Sequence, residues 1–159
     1  MKKSIHSILS TIATLGPIGN SMPAPGTAGS LVAVLCGYFL ISLGWLQFLI
    51  ITIAITIIGV FAANIYSTLT NTHDSGKIII DEVAGQWVCL LFIPYEISYF
   101  IAAFFLFRLF DITKCWPVNK AEKLPDGVGV MADDIVAGLI TGIILFVVNH
   151  YIVILKIPG

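Results

Sequence analysis

Charge is scarce in this chain. Of 159 residues, 11% are Asp, Glu, Lys or Arg and 58% are hydrophobic, with a mean hydropathy of +1.00, which excludes an ordinary soluble domain. Lys and Arg total eight and form no basic stripe, so no nucleic-acid partner is expected. Cysteine is equally sparse. Cys36, Cys89 and Cys115 are an odd number without Cys-x-x-Cys spacing, and two of them sit in apolar runs, where they read as small core residues. Six positions after Cys115 stands Ala121 rather than an arginine, which excludes a thiol-phosphatase loop. The amino terminus lacks both a long apolar core and a small-x-small cleavage site, so it is expected to be retained.

What the chain has is apolar length. At roughly 20 residues per span it predicts a single all-α domain over residues 1–159, a polytopic membrane bundle of about four to five embedded helices. Before them, Ile5, Ile8, Leu9, Ile12 and Leu15 recur at helical spacing among polar residues, which predicts an interfacial amphipathic helix from Lys2 to Leu15 with His6 on its solvated side. The glycines and prolines of Gly16 to Ser30 predict irregular chain until a helix opens near Thr27. Two readings of that opening stand side by side: a turn capped by Thr27 or Ser30, or backbone N–H groups of Gly26, Thr27, Gly29 and Ser30 approaching an anion at the helix's positive end.

Apolar residues run from Thr27 to Leu43, break at Gly44 and resume from Trp45 to Tyr66, the pattern of a helical hairpin. A polar connector, residues 71–76, holds His73 and Asp74, which read as solvated loop residues or as ligands. The next run, Lys77 to Ile93, carries the adjacent acids Asp81 and Glu82, and Pro94 and Glu96 divide it from another, Ile97 to Ile112. One mid-membrane acid costs about 2.5 to 3.5 kcal/mol, so such acids pair, bind ions or line a polar cavity. Arg108, Asp111 and Lys114 follow at steps of three, on one helical face. After a loop from Val118 to Met131, Asp133 and Asp134 open the last helix, which runs to Leu155.

Five crossings return most of the charge to one membrane face. Lys2, Lys3, Lys77, Arg108, Lys114, Lys120 and Lys123 fall there and Lys156 opposite, which predicts a cytoplasmic site. Asp81, Glu82, Asp111, Asp133 and Asp134 cannot converge uncompensated, and a divalent cation resolves their repulsion. With neither His nor Cys among them, these oxygen ligands suit Mg²⁺ or Mn²⁺. Ala84, Gly85, Ala137 and Gly138 would let two helix backbones approach and gather the acids. Lys77, Arg108 and Lys114 beside such a cation describe a phosphate site.

Four stretches in order, Pro23-Ala-Pro-Gly-Thr-Ala-Gly-Ser30, His73-Asp74 with Ile80-Asp-Glu-Val-Ala-Gly85, Phe107-Arg-Leu-Phe-Asp-Ile-Thr-Lys114 and Gly129-Val-Met-Ala-Asp-Asp-Ile-Val-Ala-Gly138, resemble the phosphatidylglycerophosphatase A family. Cys115 stands where that family usually has proline, and Asp126 where it has the first glycine of Gly-Gly-x-Gly. The resemblance implies a Mg²⁺-dependent bacterial inner-membrane enzyme that converts phosphatidylglycerophosphate to phosphatidylglycerol and inorganic phosphate. Its partners would be the phospholipid substrate and membrane lipids, and the number of ions and the oligomeric state stay open. Asp81, Glu82, Asp111, Asp133 and Asp134 would hold the cation, with Arg108, Lys114 and Lys77 on the phosphate. No Asp-x-Asp pair accompanies these acids, which disfavours an aspartyl-phosphate. The rival class is an ion- or proton-coupled transporter using the same acids; a pathway needs ionisable groups at several depths, and the outer halves offer only Glu96, His150 and Lys156.

Overall fold

Pro25 starts the first long helix of the computed structural model, because its ring presets a helical φ and its missing N–H falls where a helix has no internal acceptor. The structure describes residues 2–72 and 75–156, and His73 and Asp74, read above as solvated loop residues or as ligands, lie outside them. Every regular element among the described residues is helical: α1 (Lys2–Ala13), α2 (Pro17–Ser21), α3 (Pro25–Ile41), α4 (Trp45–Thr70), α5 (Ile80–Leu90), α6 (Ile97–Thr113), α7 (Val118–Ala121) and α8 (Asp126–Lys156).

The predicted hairpin is α3 and α4, and the predicted break at Pro94 to Glu96 separates α5 from α6, with Glu96 as N-cap. Three expectations about helix starts change. Residues 16–30 are not wholly irregular, since Pro17 opens the one-turn α2 after Gly16, whose φ of 65° favours glycine. Helix α3 opens at Pro25 with Ala24 as N-cap, so neither Thr27 nor Ser30 caps it, and Ser30 Oγ instead donates to the Gly26 carbonyl at 2.9 Å. Helix α8 opens at Asp126 rather than Asp133, because Gly127 serves packing rather than a turn: it lies against the Val60 carbonyl and Asn64 of α4.

Length separates the helices. At ~1.5 Å per residue the 26 residues of α4 and 31 of α8 exceed a ~30 Å hydrocarbon core, and these two are long and apolar enough to cross a membrane. The 17 residues of α3 and of α6 reach ~25 Å, and the 11 of α5, against the Lys77 to Ile93 expected, only ~16 Å. Large apolar side chains such as Leu35, Phe39, Ile53, Phe105 and Phe146 are exposed.

Contacts set the directions. Gly29 lies against Ile79 and Gly37 against Trp87 and Leu90, so α3 and α5 run parallel. Gly85 meets Asp134 and Gly142 meets Cys89 and Phe92, so α5 and α8 are parallel too. Gly59 beside Met131 and Gly127 beside Asn64 make α4 antiparallel to α8. At one end Trp45 Nε1 donates to the Leu91 carbonyl at 3.0 Å and Tyr38 stacks on Tyr95 at 4.8 Å, joining the α3–α4 and α5–α6 turns. The opposite end collects the starts of α3 and α5 and the end of α6. There α1 docks on α4, burying Ala13, whose carbonyl accepts from the Ile79 N–H at 2.9 Å, while Ile5 and Ile8 stay exposed.

Helices α5 and α8 share the closest approach. A Cβ added at Gly138 would strike the Gly85 carbonyl, and one at Gly85 would strike the Asp134 backbone. Backbone cannot step aside cheaply, so Gly138→Ala is expected to cost about 1–3 kcal/mol, the usual range for overpacking. Gly76→Ala, with nothing within 4 Å of the added carbon, should be neutral. Thermal unfolding of the two variants in detergent checks the contrast.

Candidate metal and phosphate site

The contact of α5 with α8 superposes two acidic pairs. Asp81 and Glu82 occupy the first turn of α5, where a helix's positive end favours carboxylates, and Asp133 and Asp134 lie on α8 beside them. Within each pair the first acid accepts its neighbour's backbone N–H, Glu82 N to Asp81 Oδ1 at 3.0 Å and Asp134 N to Asp133 Oδ1 at 3.1 Å. Those bonds fix the direction of both leading carboxylates.

All five predicted acids line one cavity of about 210 Å³ together with Arg108 and Lys114. They enter it differently. Asp81, Glu82 and Asp134 each present a carboxylate oxygen within 4.8 Å of the others, buried, as a group able to hold a metal ion. Asp111 and Asp133 are engaged by cations. Arg108 Nη1 pairs with Asp111, lies 3.4 Å from Glu82 Oε1 and donates to Ser30 Oγ at 3.5 Å. Lys114 Nζ lies 3.1 Å from Asp133 Oδ2 and 2.6 Å from Glu122 Oε1. With five carboxylates and two cations lining the cavity, negative charge is in excess. A divalent cation suits such a donor set: every donor is an oxygen, and a buried carboxylate oxygen, Glu82 Oε2, has no partner among the described residues.

The expected single face of Arg108, Asp111 and Lys114 holds for the first two only. Helix α6 ends at Thr113 and Lys114 caps it in the left-handed region, φ 44°, which swings the side chain toward α8 and Glu122. Burial works against the Lys114 ammonium, but its hydrogen bond to Glu122 and the charge of Asp133 outweigh it and hold its pKa above the usual lysine value. The site therefore keeps this positive charge throughout the neutral range.

The glycine-rich segment contributes less than expected. Gly26 lies against Glu82 and the Arg108 guanidinium, and Ser30 touches Arg108, so both border the site. Gly29 packs on Ile79 and Thr27 is exposed. Gly29 and Ser30 are also too far into α3 to offer backbone donors, which the helix's own ladder takes, and only the N–H groups of Gly26 and Thr27 fall in its first turn. Lys77 is exposed and does not line the cavity. Two residues escaped the sequence reading. Glu122 meets Lys114 through a loop that no periodicity announces, whereas Gln86, one helical turn beyond Glu82 and fully buried, was legible from its spacing. On another side of α5, Ile80, Val83 and Trp87 join Ala33, Cys36 and Ile55 around an apolar cavity of about 410 Å³.

The chain matches the family model described as Phosphatidylglycerophosphatase A over residues 11–149, which takes in every acid and cation of the cavity. The chain belongs to the phosphatidylglycerophosphatase A family. It is 35% identical to the phosphatidylglycerophosphatase A of Escherichia coli (strain K12) over 84% of this chain and 78% of that one. The phosphatidylglycerophosphatase A of Haemophilus influenzae is 38% identical, with 81% of each chain covered. A protein of Bacteroides thetaiotaomicron named putative phosphatidylinositol-3-phosphatase is 38% identical over 84% of this chain and 89% of its own. No solved structure matches.

Within this phosphatidylglycerophosphatase A fold, Gly26 is a sensitive point. A Cβ there would meet Glu82 Oε1 and both Arg108 Nη atoms, so Gly26→Ala should push that ion pair apart. The helix itself tolerates alanine better than glycine. The expected outcome is at least a tenfold loss of phosphatase activity without a lower melting temperature, measured on the purified variant.

Proposed function

We propose that this protein hydrolyses the terminal phosphate monoester of phosphatidylglycerophosphate, releasing phosphatidylglycerol and inorganic phosphate at the cytoplasmic leaflet of a bacterial inner membrane. The family and the Escherichia coli and Haemophilus influenzae relatives support the substrate. The Bacteroides relative's name also specifies a phosphorylated lipid headgroup. The single observation that carries the chemistry is the convergence of Asp81, Glu82 and Asp134 beside Arg108 and Lys114 in one cavity. The whole chain acts as one membrane-embedded domain, with α3, α4, α6 and α8 as four embedded helices and α5 as a fifth. The shorter α3 and α6 fit by local thinning and α5 reaches part-way.

Asp81, Glu82 and Asp134 would hold Mg²⁺, or Mn²⁺ in its place, with Asp111 and Asp133 at its margin. When bound, the ion supplies positive charge to the phosphate oxygens and activates water for in-line attack. The protein's own groups do the rest. Arg108 and Lys114 neutralise non-bridging oxygens, each oriented by a carboxylate, Asp111 for the first and Asp133 for the second. As the water oxygen bonds to phosphorus, its proton passes to a cavity carboxylate, Asp111 or Asp133 being those outside the three-acid group. The bond from phosphorus to the glycerol oxygen breaks, and that oxygen takes up a proton as the new hydroxyl. Acyl chains stay against the apolar helix faces. The transporter alternative lacks support, because all five acids share one cavity.

Release of phosphate from phosphatidylglycerophosphate in detergent micelles tests this. The wild type should turn over with Mg²⁺ and stop in chelator. Asp81→Asn, Asp111→Asn and Asp134→Asn should each lose about 10²-fold or more, the scale of removing a preorganised electrostatic group. Full activity in all three variants would overturn the proposal.

A further inference from the structure

Gln86 has a fully buried side chain on α5, and neither its Oε1 nor its Nε2 has a hydrogen-bond partner among the described residues. An orphaned buried amide is destabilising, so a glutamine here needs partners that an apolar residue would not. Two other buried polar atoms share that condition, Glu82 Oε2 and Arg108 Nε. The three sets of atoms are complementary. The Gln86 amide nitrogen donates and Glu82 Oε2 accepts, while Arg108 Nε donates and Gln86 Oε1 accepts. Spacing of four residues on one helix puts Gln86 and Glu82 side by side, and the 3.4 Å contact of Glu82 with Arg108 brings the third residue to the same place. Two polar side chains are already engaged elsewhere: Trp87 Nε1 with the Ala33 carbonyl, and Ser30 Oγ with the Gly26 carbonyl and Arg108.

We propose that Gln86 is a positioning residue, whose amide bridges the second oxygen of Glu82 to the Nε edge of Arg108 through buried water. The bridge fixes the angle at which Glu82 meets a cation and Arg108 meets the phosphate. A neutral amide suits this place, since a further charge would upset the balance between the acids and the two cations. The inference rests on the phosphatase reading above and adds a residue that neither ligates the ion nor touches the substrate. Groups that orient metal ligands typically contribute 10–100-fold to metal affinity or activity.

Gln86→Met keeps the volume and removes both polar atoms. Three quantities read the variant: the melting temperature in chelator, the Mg²⁺ concentration for half-maximal phosphate release, and the effect of the same change in a Glu82→Gln background. The proposal expects an unchanged or higher melting temperature, a Mg²⁺ requirement raised at least tenfold, and no further loss when Gln86→Met is added to Glu82→Gln. It is overturned by an unaltered Mg²⁺ requirement, or by losses in the double variant that simply multiply. Wild-type turnover, and its loss in Asp81→Asn, report on the phosphatase reading independently of Gln86.

Discussion

Two helix backbones touch where Gly85 of α5 meets Asp134 and Gly138 of α8, and the site exists because they do. Side chains at those glycines would hold the helices apart by the width of a methyl group or more. Parallel packing at this point sets Asp81 and Glu82 beside Asp133 and Asp134 from distant parts of the chain, and three of these carboxylates come within 4.8 Å. In lipid, where apolar burial gives helices little reason to associate, close contact at small residues is the natural way to obtain that precision. The short α5 fits the same purpose, beginning at the level of the acids and ending under the Trp45 indole.

Concentrated negative charge is the cost of this arrangement, and the neighbouring elements divide it. Helix α6 sends Arg108 to Glu82 and Asp111, and its C-cap sends Lys114 to Asp133 and Glu122. Each cation is thereby held by an acid outside the three-carboxylate group, and Arg108 also lies 3.4 Å from Glu82 within it. In the proposed reaction a phosphate between Arg108 and Lys114 would meet cations already oriented rather than flexible ones. Gly26 at the start of α3 keeps space open over the Glu82–Arg108 pair, so all four long stretches that resemble the family meet around one cavity or its rim, His73 and Asp74 aside.

Much of this was legible in the chain itself. Gly44 and Pro94 mark the turns because they interrupt apolar runs, and the small residues beside both acid pairs announced the helix contact. What was hidden has physical causes. Gly127 looks like loop, yet a glycine that lets helices touch reads the same in sequence as one that bends a turn, so α8 begins earlier than expected. Pro25 likewise drew Gly26 to Ser30 into a helix and withdrew the donors of Gly29 and Ser30. Steps of three placed Arg108 and Asp111 correctly but misled at Lys114, where the helix stops and a left-handed residue redirects the side chain. Glu122 depended on tertiary folding alone. Lys77, close to the acids in sequence, is exposed and stays out of the cavity lining although its neighbours Gly76 and Ile78 belong to it.

The central claim is that carboxylates from α5 and α8 jointly hold one class of divalent cation. Electron paramagnetic resonance of Mn²⁺ titrated into the purified protein tests it without reference to turnover. The account predicts saturable binding in the wild type that Asp81→Asn and Asp134→Asn, altered on different helices, each weaken by at least tenfold. Binding that survives both substitutions unchanged would contradict it.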